Sequence, residues 1–215
     1  PPRSTLFPYT TLFRLNAGGI YREVDIRVVS QTFIENVFAK PVDVLSGNRK
    51  VEVQCYLNGT KQTPLTLTAE LYDGSRLVAS QRQEISPDGR DHYNLTIGNL
   101  GHIDLWEIER PKLYQVRVKL SEAGRALDQY DTRIGFREAR FMPDGFFLNG
   151  KHLKLRGLNR HQTYPFVGQA MPERGQRRDA WILKRELKCN IVRTSHYPQS
   201  PHFLDACDEY GLLVL

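Results

Sequence analysis

Asn190-Ile191-Val192-Arg193-Thr194-Ser195-His196-Tyr197-Pro198 begins as a short buried strand and ends as a tip crowded with polar groups. A helix pattern precedes it. From Arg177 to Lys188, the apolar residues Ala180, Leu183 and Leu187 fall at i, i+3 and i+7, with Arg177, Arg178, Lys184, Arg185 and Lys188 mostly on the other face. A second helix is expected after the tip. Ser200 suits its N-cap, Pro201 the first helical position, and Gly211 the stop, with Phe203, Cys207 and Tyr210 as the apolar stripe. Leu212 to Leu215 then reads as another buried strand. Strand, polar tip and helix repeated in this way open a parallel α/β array, in which the chemistry sits at the strand tips.

Working upstream, Phe146-Phe147-Leu148, Asn149-Gly150 and Lys151 to Leu155 read as a hairpin whose second arm runs on to His161. Before Phe136 the period changes to two. Val51, Val53, Cys55 and Leu57 alternate with polar residues and are closed by Asn58-Gly59. Leu65, Leu67, Ala69 and Leu71 alternate likewise and are closed by Asp73-Gly74. Similar runs continue to Phe136, so some seven short strands without a helical period predict an immunoglobulin-like β-sandwich. Trp106 and Tyr114 are assigned to its core, because aromatics bury large area there. The boundary at Phe136–Pro143 is a change of period without a flexible tether. Val24-Asp25-Ile26-Arg27-Val28 alternates as a half-buried strand, pairing either with the sandwich or within a preceding domain. Residues 1–17 are set aside as non-native, since Pro1 to Arg14 repeats Thr-Leu-Phe without a coherent period. That start and the strand ending at Leu215 lead us to expect a fragment of a longer protein.

The net charge of +6 raises the question of nucleic acid, but basic residues are scattered among acidic ones and no RNP, zinc-finger or basic-zipper pattern occurs. Cys55, Cys189 and Cys207 have no paired or CxxC spacing, which points to buried free thiols in a reducing compartment. No apolar run approaches the ~18 residues of a membrane helix, and the N-terminus lacks signal-peptide order. The expected location is therefore cytoplasmic, with no membrane or nucleic-acid partner.

His161 ends the first strand of the array, and Arg193 to His196 end the second, so they are expected to share one rim. Arg, two His, Asn and Tyr gathered there suit an oxygen-rich substrate or developing negative charge. Zinc is disfavoured, because His161, His196, His202 and Cys207 match no ligand spacing. A Ser195–His196 nucleophile pair fails because neighbours on an extended segment point to opposite sides. Asp205, Asp208, Glu209 and Glu186 are expected to be solvated helix-face charges. No pair of rim carboxylates can be named.

The runs Lys154-Leu-Arg-Gly-Leu-Asn-Arg-His161, Asn190 to Pro198 and Cys207-Asp-Glu-Tyr-Gly-Leu-Leu-Val214 resemble glycoside hydrolase family 2. Gly19-Ile-Tyr-Arg22 resembles that family's exit from an N-terminal jelly-roll sugar-binding domain. Leu105-Trp106 with Leu113-Tyr114 resembles the end of its immunoglobulin-like domain, and Phe147 to Lys151 the start of its barrel. The resemblance implies a multi-domain β plus α/β chain. Residues 18–31 would end the jelly roll, 32–137 would form the sandwich, and 138–215 would be the first strands and helices of a (β/α)8 TIM barrel. It further implies a retaining β-glycosidase, β-galactosidase-like before β-glucuronidase-like, needing no cofactor and with its metal requirement left open, with a homo-oligomeric parent and glycoside substrates. The two glutamates of that chemistry, roughly 5–5.5 Å apart in a retaining enzyme, would lie on later strands, leaving no catalytic residue in this chain and an inactive fragment. His161, His196, Arg193 and Asn159 would form the substrate-binding and transition-state supporting shell, with Arg193 beside the nucleophilic carboxylate. Many β-galactosidases carry Glu after the Asn-Arg-His run, where this chain has Gln162; followed by Tyr164-Pro165, that form still resembles a β-galactosidase-type subgroup, with the sugar less closely defined. The alternative is a freestanding immunoglobulin-like module that binds carbohydrate or protein.

Overall fold

The computed structural model describes residues 19–59, 63–86 and 90–215; the expectation for residues 1–17 lies outside them. Seven strands come first: β1 (Thr32–Val42), β2 (Lys50–Gly59), β3 (Leu65–Asp73), β4 (Arg76–Ile85), β5 (His92–Ile97), β6 (Tyr114–Glu122) and β7 (Arg125–Ile134). They form two antiparallel sheets, ordered β1-β2-β5 and β4-β3-β6-β7. Strict alternation explains why they pack face to face. Leu65, Leu67, Ala69 and Leu71 of β3 and Tyr114, Val116, Val118 and Leu120 of β6 all point into one core, opposite Val51, Val53, Cys55 and Leu57 of β2. Burial pushes the Cys55 thiol up to about 12, so it behaves as a small apolar side chain.

Asn58-Gly59 is not a hairpin turn, contrary to the sequence expectation. Gly59 closes the β1–β2 ladder opposite Thr32, at φ 97°, where an added Cβ would stand 1.8 Å from the Gln31 carbonyl oxygen. Glycine is needed there for close backbone approach. Residues 24–28 also depart from expectation. They form no strand, and Val24, Ile26 and Val28 are 74%, 94% and 93% exposed. Their alternation is real, but among the described residues no neighbouring strand completes the ladder. The segment is nonetheless tied to the sandwich: Arg27 pairs with Asp128 at 2.7 Å, and the Ser30 hydroxyl donates to the Leu127 carbonyl at 2.9 Å.

A small antiparallel sheet, β8 (Ala139–Met142), β9 (Gly145–Leu148) and β10 (Lys151–His152), comes next. Asn149 and Gly150 turn the β9–β10 hairpin with φ 51° and 75°, as a tight hairpin requires. The second arm does not run on to His161, because it ends at His152, and the chain restarts as β11 (Gly157–Arg160) in a different sheet. There β11, β12 (Ile191–Thr194) and β13 (Leu213–Val214) lie parallel in that order. Between β11 and β12 runs α1 (Glu173–Trp181), continued by a π-helical turn, Ile182–Glu186; α2 (Pro201–Tyr210) joins β12 to β13.

The π turn corrects the expected helix face. One extra residue rotates the rest of the helix by about 100°. Leu187 is therefore 54% exposed, whereas Lys184 is buried and its Nζ donates to the carbonyl of Ile108 at 2.7 Å. Ala180 and Leu183 keep their places against Val192, Phe203 and Cys207 on the helix side of the parallel sheet. Ser200 occupies the N-cap without a side-chain cap bond; its carbonyl instead accepts from Phe203 N–H at 3.0 Å. Of the last strand only Leu212 and Leu213 are buried.

Trp106 is not part of the sandwich core. It is 1% exposed at the junction, against Phe146, Leu148 and Leu213, and its Nε1 donates to the Asp208 carbonyl at 2.8 Å. The carboxylates of α2, expected as solvated charges, reinforce this joint: Asp205 stays half exposed, whereas Glu209 and Asp208 are largely covered. Arg133 of β7 pairs with Asp205 at 2.7 Å and with Glu209 at 2.6 Å, and Glu209 also holds Arg177. Burial pushes the Asp208 carboxyl above its ordinary value.

Candidate functional site

Asn190, the first residue of the Asn190–Pro198 stretch, sets the geometry of the rim. Its buried side chain accepts from Arg156 N–H at 2.8 Å and donates to the Lys154 carbonyl at 2.9 Å, fixing where β11 begins beside β12. Gly157 permits that proximity, since a Cβ there would stand 2.0 Å from the Ile191 carbonyl oxygen. In the resulting register Asn159 lies opposite Arg193, and Arg160 opposite Thr194. Val192 and Arg160 face the helices, so alternation turns Asn159 and Arg193 to the opposite face of the sheet, where both are exposed.

One residue past β11 and two past β12 stand His161 and His196, both exposed. Their rings meet edge to face, 5.5 Å between centroids at 81°. Tyr197 lies beside them, 6.1 Å from the His161 ring, with its hydroxyl accepting from Gln162 N–H at 3.0 Å. The four residues singled out from sequence, Asn159, His161, Arg193 and His196, thus sit at the tips of two adjacent parallel strands. They bring polar, hydrogen-bonding side chains to adjacent strand ends. Ser195 and His196 diverge as expected, Ser195 being 0% exposed; the peptide between them is cis. His202 is elsewhere, on α2, where Glu23 lies 3.2 Å and Glu173 3.8 Å from its ring nitrogens. Among the described residues no three His, Cys, Asp or Glu side chains are grouped to hold a metal.

Sequence reading missed the network that holds these tips still. Arg160 is 5% exposed, and its guanidinium donates to Asp179 at 2.8 Å and to Gln176 Oε1 at 2.8 Å, reaches the Gln199 amide oxygen, and lies 4.0 Å from the Phe203 ring centroid. Gln162 is 1% exposed and accepts from Ser200 N–H at 3.2 Å. Through this bond the Gln162 carbonyl oxygen holds the approach to α2. A usable signal existed, because strand alternation places Arg160 opposite Asn159, toward the helix that carries Asp179.

Ser195 Oγ is the buried side-chain polar atom with no hydrogen-bond partner among the described residues. A buried hydroxyl left unsatisfied costs free energy. Ser195→Ala is therefore expected to be neutral or to stabilise the chain by about 1 kcal/mol in urea denaturation. A loss of that size would mean the hydroxyl has a partner in solution.

A sandwich joined to the opening strands of a parallel α/β barrel, with polar side chains at the strand tips, defines a class of barrel proteins that work at the C-terminal rim. Residues 32–137 match the family model described as glycosyl hydrolases family 2, and residues 141–215 match the TIM barrel domain of the same family. The chain belongs to glycosyl hydrolase family 2. It is 42% identical to a β-galactosidase of Thermoanaerobacterium thermosulfurigenes over 218 residues, 100% of this chain and 30% of that protein. A putative β-glucuronidase of Formosa agariphila is 32% identical over 200 residues, covering 92% of this chain and 24% of that protein. The structure of a family 2 member from Bacteroides cellulosilyticus aligns with TM-score 0.80 at 29% identity, over 86% of this chain and 25% of that one. The chain thus spans under a third of the length of these curated relatives.

Proposed function

We propose that this chain supplies part of the sugar-binding rim of a retaining β-glycosidase acting on terminal β-linked sugars, with β-galactosides as the first substrate class. The observation that carries the reading is the pair of imidazoles, 5.5 Å apart, at the tips of adjacent parallel strands. Beside them, Asn159 and Arg193 share a face and a register. Such donors suit sugar hydroxyls and the charge that develops in an oxocarbenium-like transition state. Arg193 would also favour the ionised form of a neighbouring carboxylate nucleophile. Among the described residues the rim carries no pair of carboxylates, so the acid/base and nucleophile are proposed to come from residues beyond these 215. The resemblance to proteins named β-galactosidase outweighs that to β-glucuronidase in identity, 42% against 32%.

The test compares two proteins on aryl β-galactoside and aryl β-glucuronide. The 215-residue chain alone is expected to show no turnover above buffer. The protein encoded by the whole reading frame is expected to hydrolyse the galactoside faster. Hydrolysis by the short chain would refute the placement of the carboxylates; inactivity of the whole protein on both would refute the glycosidase reading.

A further inference from the structure

We infer that Arg22 and Glu23 form a clasp that positions the site from outside the barrel, making Arg22 a positioning residue for His196; this rests on the reading of His196 as a sugar contact. Residues 19–31 belong to no strand, yet two of them reach across the fold to the loop after His196. Arg22 Nη2 donates to the Pro198 carbonyl at 2.6 Å and Nη1 to the Gln199 carbonyl at 2.9 Å. Glu23 Oε1 lies 3.2 Å from His202 Nε2, one helical residue past Pro201. The Arg22 guanidinium also lies 5.4 Å from the Tyr21 ring centroid, which limits its freedom.

The opposite side of the same loop is held from within. Arg160 binds the Gln199 side chain, and Gln162 Oε1 accepts from Ser200 N–H. Gln199 is therefore gripped twice, by its amide from the buried network and by its backbone from Arg22. A planar guanidinium presents two N–H groups side by side in a fixed fork, a pre-organised match to two successive carbonyls that a flexible lysine lacks. Pro198 is two residues from His196, so the path fixed by Arg22 determines where the His196 ring meets His161. Through this clasp, whatever precedes residue 22 in the chain is mechanically tied to the sugar rim. The sandwich that intervenes in sequence is bypassed.

The clasp itself is tested by hydrogen exchange on this chain. Arg22→Ala is expected to raise exchange about tenfold at the amides of residues 196–204. Arg27→Ala, which removes that segment's ion pair with the sandwich and leaves the Ser30 bond, should leave those amides unchanged. Unaltered exchange at 196–204 in Arg22→Ala, or acceleration spread equally through both sheets of the sandwich, would overturn the clasp. Its bearing on chemistry is tested in the whole protein. There Arg22→Ala should lower kcat/KM about tenfold, a loss of one exposed charged contact. Millimolar guanidinium should restore it, and Arg22→Lys should recover less. An unchanged kcat/KM would overturn the positioning role. A wild-type protein that hydrolyses no glycoside would remove the glycosidase reading instead, with the clasp decided by exchange alone.

Discussion

Arg160→Ala is expected to destabilise the parallel part of the chain by about 3–5 kcal/mol, the range for removing one partner of a buried ion pair. The guanidinium is 5% exposed, and its removal strands Asp179, Gln176 and Gln199 together. It also empties the space over the Phe203 ring. Arg160→Lys should fail nearly as badly, because one ammonium cannot reach a carboxylate and two amides lying in different directions. Hydrogen exchange should show loss of protection in α1, α2 and the three parallel strands, with β1 to β7 retaining theirs. If Arg160→Ala lost less than about 1 kcal/mol, the network would be solvent-filled and not a structural centre.

Trp106→Ala should cost a similar amount, about 3–5 kcal/mol, but the damage should fall on the joint. The indole fills the space between the sandwich and β9 and β13, and its N–H is the donor to the Asp208 carbonyl at 2.8 Å. A cavity of that size, lined by Phe146, Leu148 and Leu213, leaves the two parts held by polar contacts, among them Arg133 with its carboxylates and Lys184 with the Ile108 carbonyl. The ion pairs of Arg133 are partly exposed, and such pairs contribute little. Limited proteolysis should then cut within residues 137–143 faster than in the wild-type chain. Equal resistance in both proteins would show that the polar contacts alone suffice.

Much of the fold was legible because periodicity is local. The β3 and β6 runs alternate without a break, and their burial follows the same beat. The rim histidines were legible for a related reason, since a strand ending in a polar tip places them at an end. The features that were not legible depended on partners remote in sequence. Trp106 reads as any buried aromatic, and nothing local says which core it fills. Arg133 meets Asp205 and Glu209 only after the chain has built a second sheet. Val24 to Val28 alternates correctly, yet a strand needs a neighbour to exist. The π turn after Trp181 is a case where local reading failed locally: the inserted residue turns Leu187 outward, while Lys184, four residues after Ala180, lies on the buried face in any case.

The contacts of Arg22 to Pro198 and Gln199 join residues 176 and 177 positions apart. On a ribosome adding roughly 5–20 residues per second, about 9–35 s pass between synthesis of the guanidinium and of the carbonyls that receive it. In the last part of that interval, once β7 has been made, the sandwich is complete while Arg22 ahead of it has no rim to grasp. Assembly therefore has a fixed calendar: the sheets close first, the helices of the barrel come after, and the earliest segment is the last to find its seat.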